Sequence, residues 1–453
     1  MDGQRLFGTD GIRGVANREP LTPDTAVRLG RALGVLCRQH RECPRIVLGR
    51  DTRRSGGMLE GALAAGLSSA GADVWLGGIL PTPAVAYWTR LAGADAGIVV
   101  SASHNPFADN GIKIFAPTGF KLPEAAEAEV ERLLATSVPG PIGEGIGRIA
   151  TAAAVGEQYG AFLRSQFPAG RPLAGLKVVV DCAHGAAFRI APAVLAELGA
   201  NVVTIGVEPD GVNINDELGA VAPARLQREV VATRASLGIA LDGDADRAIL
   251  VDERGEVVDG DEQLALLAVD MLRDHRLRHR TVVATVMSNL GLELALQERG
   301  VHLRRVQVGD RHVVEEMRRG GYNLGGEQSG HVVLLDRSTT GDGLLAGLTV
   351  ARLLCQHGRA LSDLKRVMTR VPQVLRSLRV RNRSNLSENA AVRAAVGRAE
   401  ERLGRRGRVL VRLSGTEPLV RIMVEGQDAE AIRREVETLA EVLGRELGAE
   451  GRA

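Results

Sequence analysis

One pattern recurs three times along this chain: an apolar run of strand length, a helical stretch, a glycine, and a second apolar run. It occupies residues 45–76, then 177–205, then 281–308. Strand, helix and strand at this spacing favour a parallel pair with the helix laid across it. Three copies predict three similar βαβ-containing α/β domains. Each copy is followed by a short apolar segment that runs into a polar loop, at residues 101–106, 242–247 and 325–331. Ligands of open α/β sheets bind at the carboxyl ends of strands. The economical expectation is that the three loops share one central cleft.

Residues 139–147 are rich in glycine and proline and mark a linker; further boundaries fall near residues 252–255 and 369–372. The tail reads strand, helix, strand, loop, strand, helix, which predicts a small α+β C-terminal domain. The expected division is 1–150, 151–254 and 255–370 for the α/β domains and 371–453 for the last. Near the start, a helix is expected from Thr22, with Pro23 in its first turn. Ala26, Leu29, Leu33, Leu36 and Cys37 mark its apolar face.

Aromatic residues make up only 3% of the chain, so the cores must be built from Ala, Val and Leu. A formal net charge of +2 is too balanced to suggest a nucleic-acid or membrane surface. No apolar run is long enough to span a bilayer. The first residues show no basic segment followed by an apolar one, so no secretory leader is expected. Cys37, Cys43, Cys182 and Cys355 are scattered without C-x-x-C spacing. That suits a reducing cytoplasm and argues against a disulfide framework or a zinc site.

The first loop follows an apolar run at residues 96–100 and is stopped by Pro106, which cannot continue a ladder. It presents Ser101 and Ser103 at a strand end, and Asn110 with Gly111 suits a turn. A serine nucleophile needs a base, a metal or a pre-attached group to act. His104 is adjacent, but adjacency along a loop does not aim a side chain; without help the loop is a Ser/Asn turn with no chemistry. The only lysines are Lys113, Lys121, Lys177 and Lys365. A partly buried lysine can release its proton and an arginine cannot. Lys113 is therefore either an acid/base group or a chance survivor in an arginine-rich chain.

In the second loop Asp242, Asp244 and Asp246 alternate, and they repel one another unless a cation sits among them. Hard oxygen ligands favour Mg²⁺ or Ca²⁺. An EF-hand is rejected, because its sixth position would be Arg247 instead of glycine and residues 248–251 read as a strand. A metal with open positions would also take a phosphate oxygen, which points to phosphoryl transfer. In the third loop Glu327 and Ser329 place a carboxylate beside a hydroxyl, a common way to hold vicinal sugar hydroxyls. Residues 7–14 carry three glycines around Arg13, suited to an anionic group. Residues 412–421 read R-L-S-G-T-E-P-L-V-R, a phosphate cradle with hydroxyls, a glycine and arginines at both ends. No G-K-[ST] occurs, which argues against a P-loop kinase.

Together these motifs resemble the α-D-phosphohexomutase superfamily, over essentially the whole chain and in the same order. The resemblance implies that Ser103 is the phosphoserine, with Ser101 its neighbour. It implies one Mg²⁺ per subunit on Asp242, Asp244, Asp246 and the phosphorylated Ser103. Glu327 and Ser329 would bind sugar hydroxyls; Arg412, Ser414, Gly415, Thr416 and Arg421 would bind the substrate phosphate. Arg13, Lys113 and, from the aspartate loop, Arg247 fall with the catalytic group. Lys113 is the first choice for moving the proton and His104 the second. The alanine between the two serines, V-G-D-R at 308–311, the G-G-E-Q-S-G-H loop and T-T-G-D-G at 339–343 look like the glucosamine branch. His312 departs from that branch, where tyrosine is expected.

The implied reaction interconverts glucosamine 6-phosphate and glucosamine 1-phosphate through a hexosamine 1,6-bisphosphate, which also serves as activator, on the way to UDP-N-acetylglucosamine. A mannose/glucose mutase with the same machinery is the nearest alternative. A phosphatase and a non-catalytic sugar-phosphate sensor are more distant ones. A sugar phosphate is the expected partner, with no nucleic acid and no membrane. A homodimer is expected from the resemblance alone, and the cytoplasm from the scattered cysteines and the lack of an expected leader.

Overall fold

The structure is a computed structural model, and it describes residues 6–8, 10–136, 139–381, 386, 389–413 and 419–448. The chain forms two compact units, one drawn from residues 1–285 and 304–366, the other from 286–303 and 367–453.

The first part of the larger unit comprises Ile12–Val15 (β1), Pro23–Arg38 (α1), Arg45–Arg50 (β2), Gly56–Ser69 (α2), Asp73–Ile79 (β3), Thr82–Leu91 (α3), Ala96–Val100 (β4), Asp109–Phe115 (β5), Glu124–Leu134 (α4) and Ile149–Thr151 (β6). They build a six-stranded sheet in the order β1-β5-β4-β2-β3-β6. β4, β2, β3 and β6 run parallel, and β5 turns back antiparallel beside β4. α1 begins as expected: Thr22 caps it, its hydroxyl accepting from the Thr25 N–H at 3.2 Å, and Pro23 sits in the first turn. The glycine-rich stretch at 139–147 does not end this sheet, because β6 follows it and pairs with β3.

The second part comprises Val155–Ser165 (α5), Lys177–Asp181 (β7), Ile190–Glu197 (α6), Asn201–Ile205 (β8), Ala224–Thr233 (α7), Leu237–Leu241 (β9), Ala248–Asp252 (β10) and Val257–Val258 (β11). The sheet order is β11-β10-β9-β7-β8, with β9, β7 and β8 parallel and β10 antiparallel to β9. Next come Gly260–Arg273 (α8), Thr281–Thr285 (β12), Leu290–Gln297 (α9), His302–Val306 (β13), Asp310–Gly320 (α10), Leu324–Gly326 (β14), Val332–Leu334 (β15), Gly343–His357 (α11) and Leu361–Leu364 (α12). Here β12 and β14 are parallel and β15 returns antiparallel to β14.

One plan is thus repeated. A buried strand (β4, β9 or β14) ends in a loop, and the next strand (β5, β10 or β15) returns antiparallel to it. The loops between them are the three singled out from sequence. The core beneath the first sheet is aliphatic, with Ile12, Leu29, Leu33, Ile46, Leu48, Leu63, Ile98 and Ile112 almost without exposure. Many small close-packed side chains replace the missing aromatics.

The smaller unit is built on Gln373–Arg379 (β16), Ala390–Leu403 (α13), Gly407–Leu413 (β17), Leu419–Gly426 (β18) and Ala429–Leu447 (α14). Its antiparallel sheet has the order β16-β18-β17. Val392, Ala399, Val420, Ile422, Val436, Leu439 and Leu443 form its core. Residues 286–303, which include α9, belong to this unit. Among the described residues no helix is long and apolar enough to cross a membrane.

Candidate active site

All five residues of β4 are buried, and the chain leaves it in a tight turn with residue 103 in the left-handed region at φ +54°. Ser103 is 1% exposed. Its N–H donates to Ser101 Oγ at 2.9 Å, and its Oγ donates to Asp242 Oδ2 at 2.5 Å. The first and second loops therefore meet, although 139 residues separate them. His104 is aimed as well as adjacent: its Nδ1 lies 3.3 Å from Ser103 Oγ and 3.3 Å from Arg247 Nη1. Burial, with the charges of Arg247 and Arg13, pushes the imidazole pKa down to about 4. At neutral pH the ring is uncharged and keeps a lone pair.

Asp242, Asp244 and Asp246 are buried, and each offers a carboxylate oxygen within 4.8 Å of the others. Burial and its two neighbours hold Asp242 well above the usual carboxylate range. Lys113 Nζ donates to Asp244 Oδ2 at 2.7 Å and to Asp246 Oδ2 at 2.9 Å, and Thr82 Oγ1 donates to Asp244 Oδ2 at 2.6 Å. The Oδ1 atoms of Asp244 and Asp246 are buried with no hydrogen-bond partner among the described residues. Three buried carboxylates, two of them with an orphaned oxygen, are an all-oxygen donor set suited to a hard divalent cation.

Lys113 is itself fully buried. Burial opposes its charge, but Asp10, Asp244 and Asp246 outweigh it and raise its pKa well above normal. In this arrangement Lys113 is a charged donor, whereas His104 has the lone pair. Asp10 gathers further cations: Arg13 is hydrogen-bonded to it, Lys113 lies 3.7 Å away, and Lys121 lies 2.5 Å away and also pairs with Asp310 at 2.7 Å.

The third loop joins the same cluster. Gly330 O accepts from the Ala248 N–H at 3.0 Å, tying it to the root of β10. His331 is buried 3.7 Å from both Asp246 and Asp310, and its Nε2 accepts from the Gly341 N–H at 3.1 Å. Glu327 is nearly buried, and its Oε1 accepts from the Gly309 N–H at 3.2 Å. Ser329 beside it is exposed. His312 lies in the first turn of α10, half-buried, and its ring makes no hydrogen bond or ion pair among the described residues. The departure from tyrosine therefore leaves the cluster around Ser103 untouched.

In the smaller unit Arg412 and Arg421 face each other across β17 and β18, both half-buried. Burial and the charge of Arg421 lower the Arg412 pKa. Like charges directly opposite are destabilising unless an anion is shared. Ser414, Gly415 and Thr416 lie outside the described residues.

Sequence reasoning missed several residues of this cluster: Asp10, Asp51, Arg53, Thr82, Lys121, Asn215 and His331. A usable signal existed for two of them. Asp51 and Arg53 stand at the carboxyl end of β2, the same edge of the sheet that carries the serine loop.

Four family models match the chain: phosphoglucomutase/phosphomannomutase alpha/beta/alpha domain I at residues 4–138, domain II at 158–255, domain III at 259–371 and the C-terminal domain at 375–442. The phosphoglucosamine mutase of Anaeromyxobacter sp. (strain Fw109-5) is 52% identical, covering 98% of this chain and 96% of that protein. The phosphoglucosamine mutase of Syntrophotalea carbinolica is 50% identical, covering 98% of each. A crystal structure of a phosphoglucomutase/phosphomannomutase family protein from Burkholderia thailandensis superposes with a TM-score of 0.83 at 27% identity over 99% of each chain. The fold is also that of Aspergillus fumigatus N-acetylphosphoglucosamine mutase in complex with GlcNAc-6P and magnesium, with a TM-score of 0.68 at 19% identity over 99% of this chain and 97% of that one. By sequence, domain composition and fold, the chain belongs to the phosphoglucosamine mutases, isomerases of the phosphohexomutase superfamily that interconvert glucosamine 6-phosphate and glucosamine 1-phosphate.

Proposed function

We propose that Ser103 carries the phosphoryl group in this isomerisation. The observation that supports this most is the 2.5 Å contact of Ser103 Oγ with Asp242 inside the buried carboxylate cluster. Phospho-Ser103 gives its phosphoryl group to the free hydroxyl of a hexosamine phosphate: the serine O–P bond breaks and the sugar O–P bond forms. His104, whose Nδ1 lies 3.3 Å from Ser103 Oγ, moves the proton from the sugar hydroxyl to the serine oxygen, while Lys113 stays charged between Asp244 and Asp246. The 1,6-bisphosphate then turns over in the cleft, and the other phosphate returns to Ser103. The same bisphosphate, supplied in trace, activates enzyme that has lost its phosphoryl group.

Asp242, Asp244, Asp246 and the phosphorylated Ser103 would hold one Mg²⁺ per subunit, whose charge offsets that of the phosphoryl oxygens. Arg13 and Arg247 flank the transferred group, so the chain's own work is positioning and electrostatics. Glu327 and Ser329 hold sugar hydroxyls. Arg412 and Arg421, with Ser414, Gly415 and Thr416, hold the phosphate that is not reacting. We place the domain divisions near residues 150, 254 and 370. The enzyme is proposed to be a cytoplasmic homodimer, and four unpaired cysteines suit a reducing compartment. Its product feeds UDP-N-acetylglucosamine synthesis.

The test is a mutase assay with Mg²⁺ and a trace of hexose 1,6-bisphosphate, comparing kcat/KM for glucosamine, glucose and mannose phosphates. A preference for glucosamine phosphate is expected, and a preference for either other sugar overturns the substrate assignment. Ser103→Ala should abolish isomerisation; substantial residual turnover would remove Ser103 from its role. Release of inorganic phosphate without bisphosphate dependence would make the enzyme a phosphatase.

A further inference from the structure

A nucleophile that gives and takes a phosphoryl group must present its oxygen in one direction through both half-reactions. Residue 103 does so from the left-handed region, which a residue with a side chain enters only at a cost. Something must hold it there. The Ser103 N–H donates to Ser101 Oγ at 2.9 Å, and that hydroxyl donates to Asp51 Oδ2 at 2.6 Å. The Ser103 carbonyl accepts from Arg53 Nη2 at 3.0 Å, and Arg53 Nε donates to Asp51 Oδ2 at 2.9 Å. The N–H and the carbonyl of residue 103 thus lead back to one carboxylate oxygen. The remaining Arg53 donors continue along the loop, to the carbonyls of Asn105 at 2.8 Å, Asp109 at 3.0 Å, and Pro106. Asn215, from the second part of the unit, donates to the Ser103 carbonyl at 2.9 Å and the Asn105 carbonyl at 3.1 Å.

Asp51, Arg53 and Ser101 are each at most 1% exposed. A buried guanidinium is costly unless its donors are engaged. Here every nitrogen of the fork is used, mostly on backbone that belongs to the serine loop. A lysine offers a single nitrogen and could not span the same acceptors.

We propose that Asp51 and Arg53 are positioning residues for phosphoryl transfer, fixing Ser103 at both its N–H and its carbonyl so that Oγ stays aimed at the carboxylate cluster. The proposal rests on Ser103 as the phosphoryl carrier. They touch no reacting atom; their effect is on the direction of one that does.

The experiment compares wild type with Arg53→Lys and Ser101→Ala in the full chain, with Mg²⁺ and hexose 1,6-bisphosphate. Ser101→Ala removes one small hydroxyl, so it decides the matter even if Arg53→Lys fails to fold. Three quantities are read: kcat, KM, and the ratio of phosphoryl transfer to hydrolysis of phospho-Ser103 followed by intact mass. A reacting oxygen displaced by about 1 Å loses on the order of 100-fold in rate. The expected result is a kcat loss of that order with KM within about threefold, and a larger share of phosphoserine lost to water. Wild-type kcat in Ser101→Ala, or losses that merely follow the folded fraction measured by thermal melting, would overturn the proposal. Turnover by Ser103→Ala would instead overturn the carrier assignment, which keeps the two failures distinguishable.

Discussion

Gly243 stands between two of the proposed metal ligands, and the reason lies across the cleft. A methyl group added there would sit 2.6 Å from the Ser103 carbonyl oxygen, 2.8 Å from Ile214 Cδ1 and 2.9 Å from Asn215 Nδ2. Ordinary contact begins near 3.4 Å, so relief requires a movement of close to 0.8 Å between the aspartate loop and the serine loop. Neither loop is free to give way, since Arg53 and Asn215 both hold the Ser103 carbonyl. The 2.5 Å contact between Ser103 Oγ and Asp242 would open to about 3.3 Å, beyond a good O–H···O hydrogen bond. Displacement on this scale costs about 100-fold in rate, while overpacking costs about 1–3 kcal/mol of stability. For Gly243→Ala we expect kcat to fall about 100-fold, the apparent Mg²⁺ requirement to rise, and the protein to remain folded. Steady-state kinetics across a Mg²⁺ titration, with urea unfolding in parallel, measure all three. Wild-type kcat and an unchanged Mg²⁺ titration would refute the claim that the two loops must approach this closely to work.

Other outcomes follow from the same packing. Asp342 caps α11, accepts from Tyr159 Oη at 2.7 Å, and is raised by burial from 3.8 to about 6. The folded state therefore binds this proton more tightly, and its stability should fall by about 3 kcal/mol as pH rises from 4 to 6, then level off. Asp342→Asn keeps a cap but has no proton to lose; unfolding curves of the two proteins that stay parallel from pH 4 to 7 would contradict this. Arg311 makes a buried fork with Glu127, with Nη1 to Oε2 at 3.0 Å and Nη2 to Oε1, joining α10 to α4. Arg311→Met should cost about 3–5 kcal/mol, and pairing it with Glu127→Leu should recover most of that in a double-mutant cycle. Asp244→Asn should weaken the Mg²⁺ dependence of activity by at least about tenfold, and an unchanged titration would count against that ligand.

Much of this molecule could be read along the chain because it depends on local pattern. Apolar runs at residues 46–49, 96–100 and 237–241 became the buried parts of β2, β4 and β9 because a strand buried on both faces needs little else. Thr22 and Pro23 announced α1 because capping is decided within four residues. Ser103, the three aspartates, Glu327 and the arginines around residues 412–421 stood out for a related reason: loops at strand ends concentrate polar side chains where a core would tolerate none.

Other features were out of reach of pattern. Whether His104 faces its neighbour Ser103 depends on a left-handed turn that no spacing announces. The state of Lys113 follows from Asp10, Asp244 and Asp246, residues as far as 133 positions away. Arg53 looks like an ordinary surface arginine until four carbonyls of a distant loop are folded around it.

What the sequence by itself determined was the repeated α/β plan, the polar loop at the end of each buried strand, and the kinds of chemistry those loops can carry. Tertiary structure alone decided which groups meet, which are buried, and therefore which keep their charge. Coulomb energy and desolvation depend on distance and surroundings in space, and neither is encoded in separation along a chain.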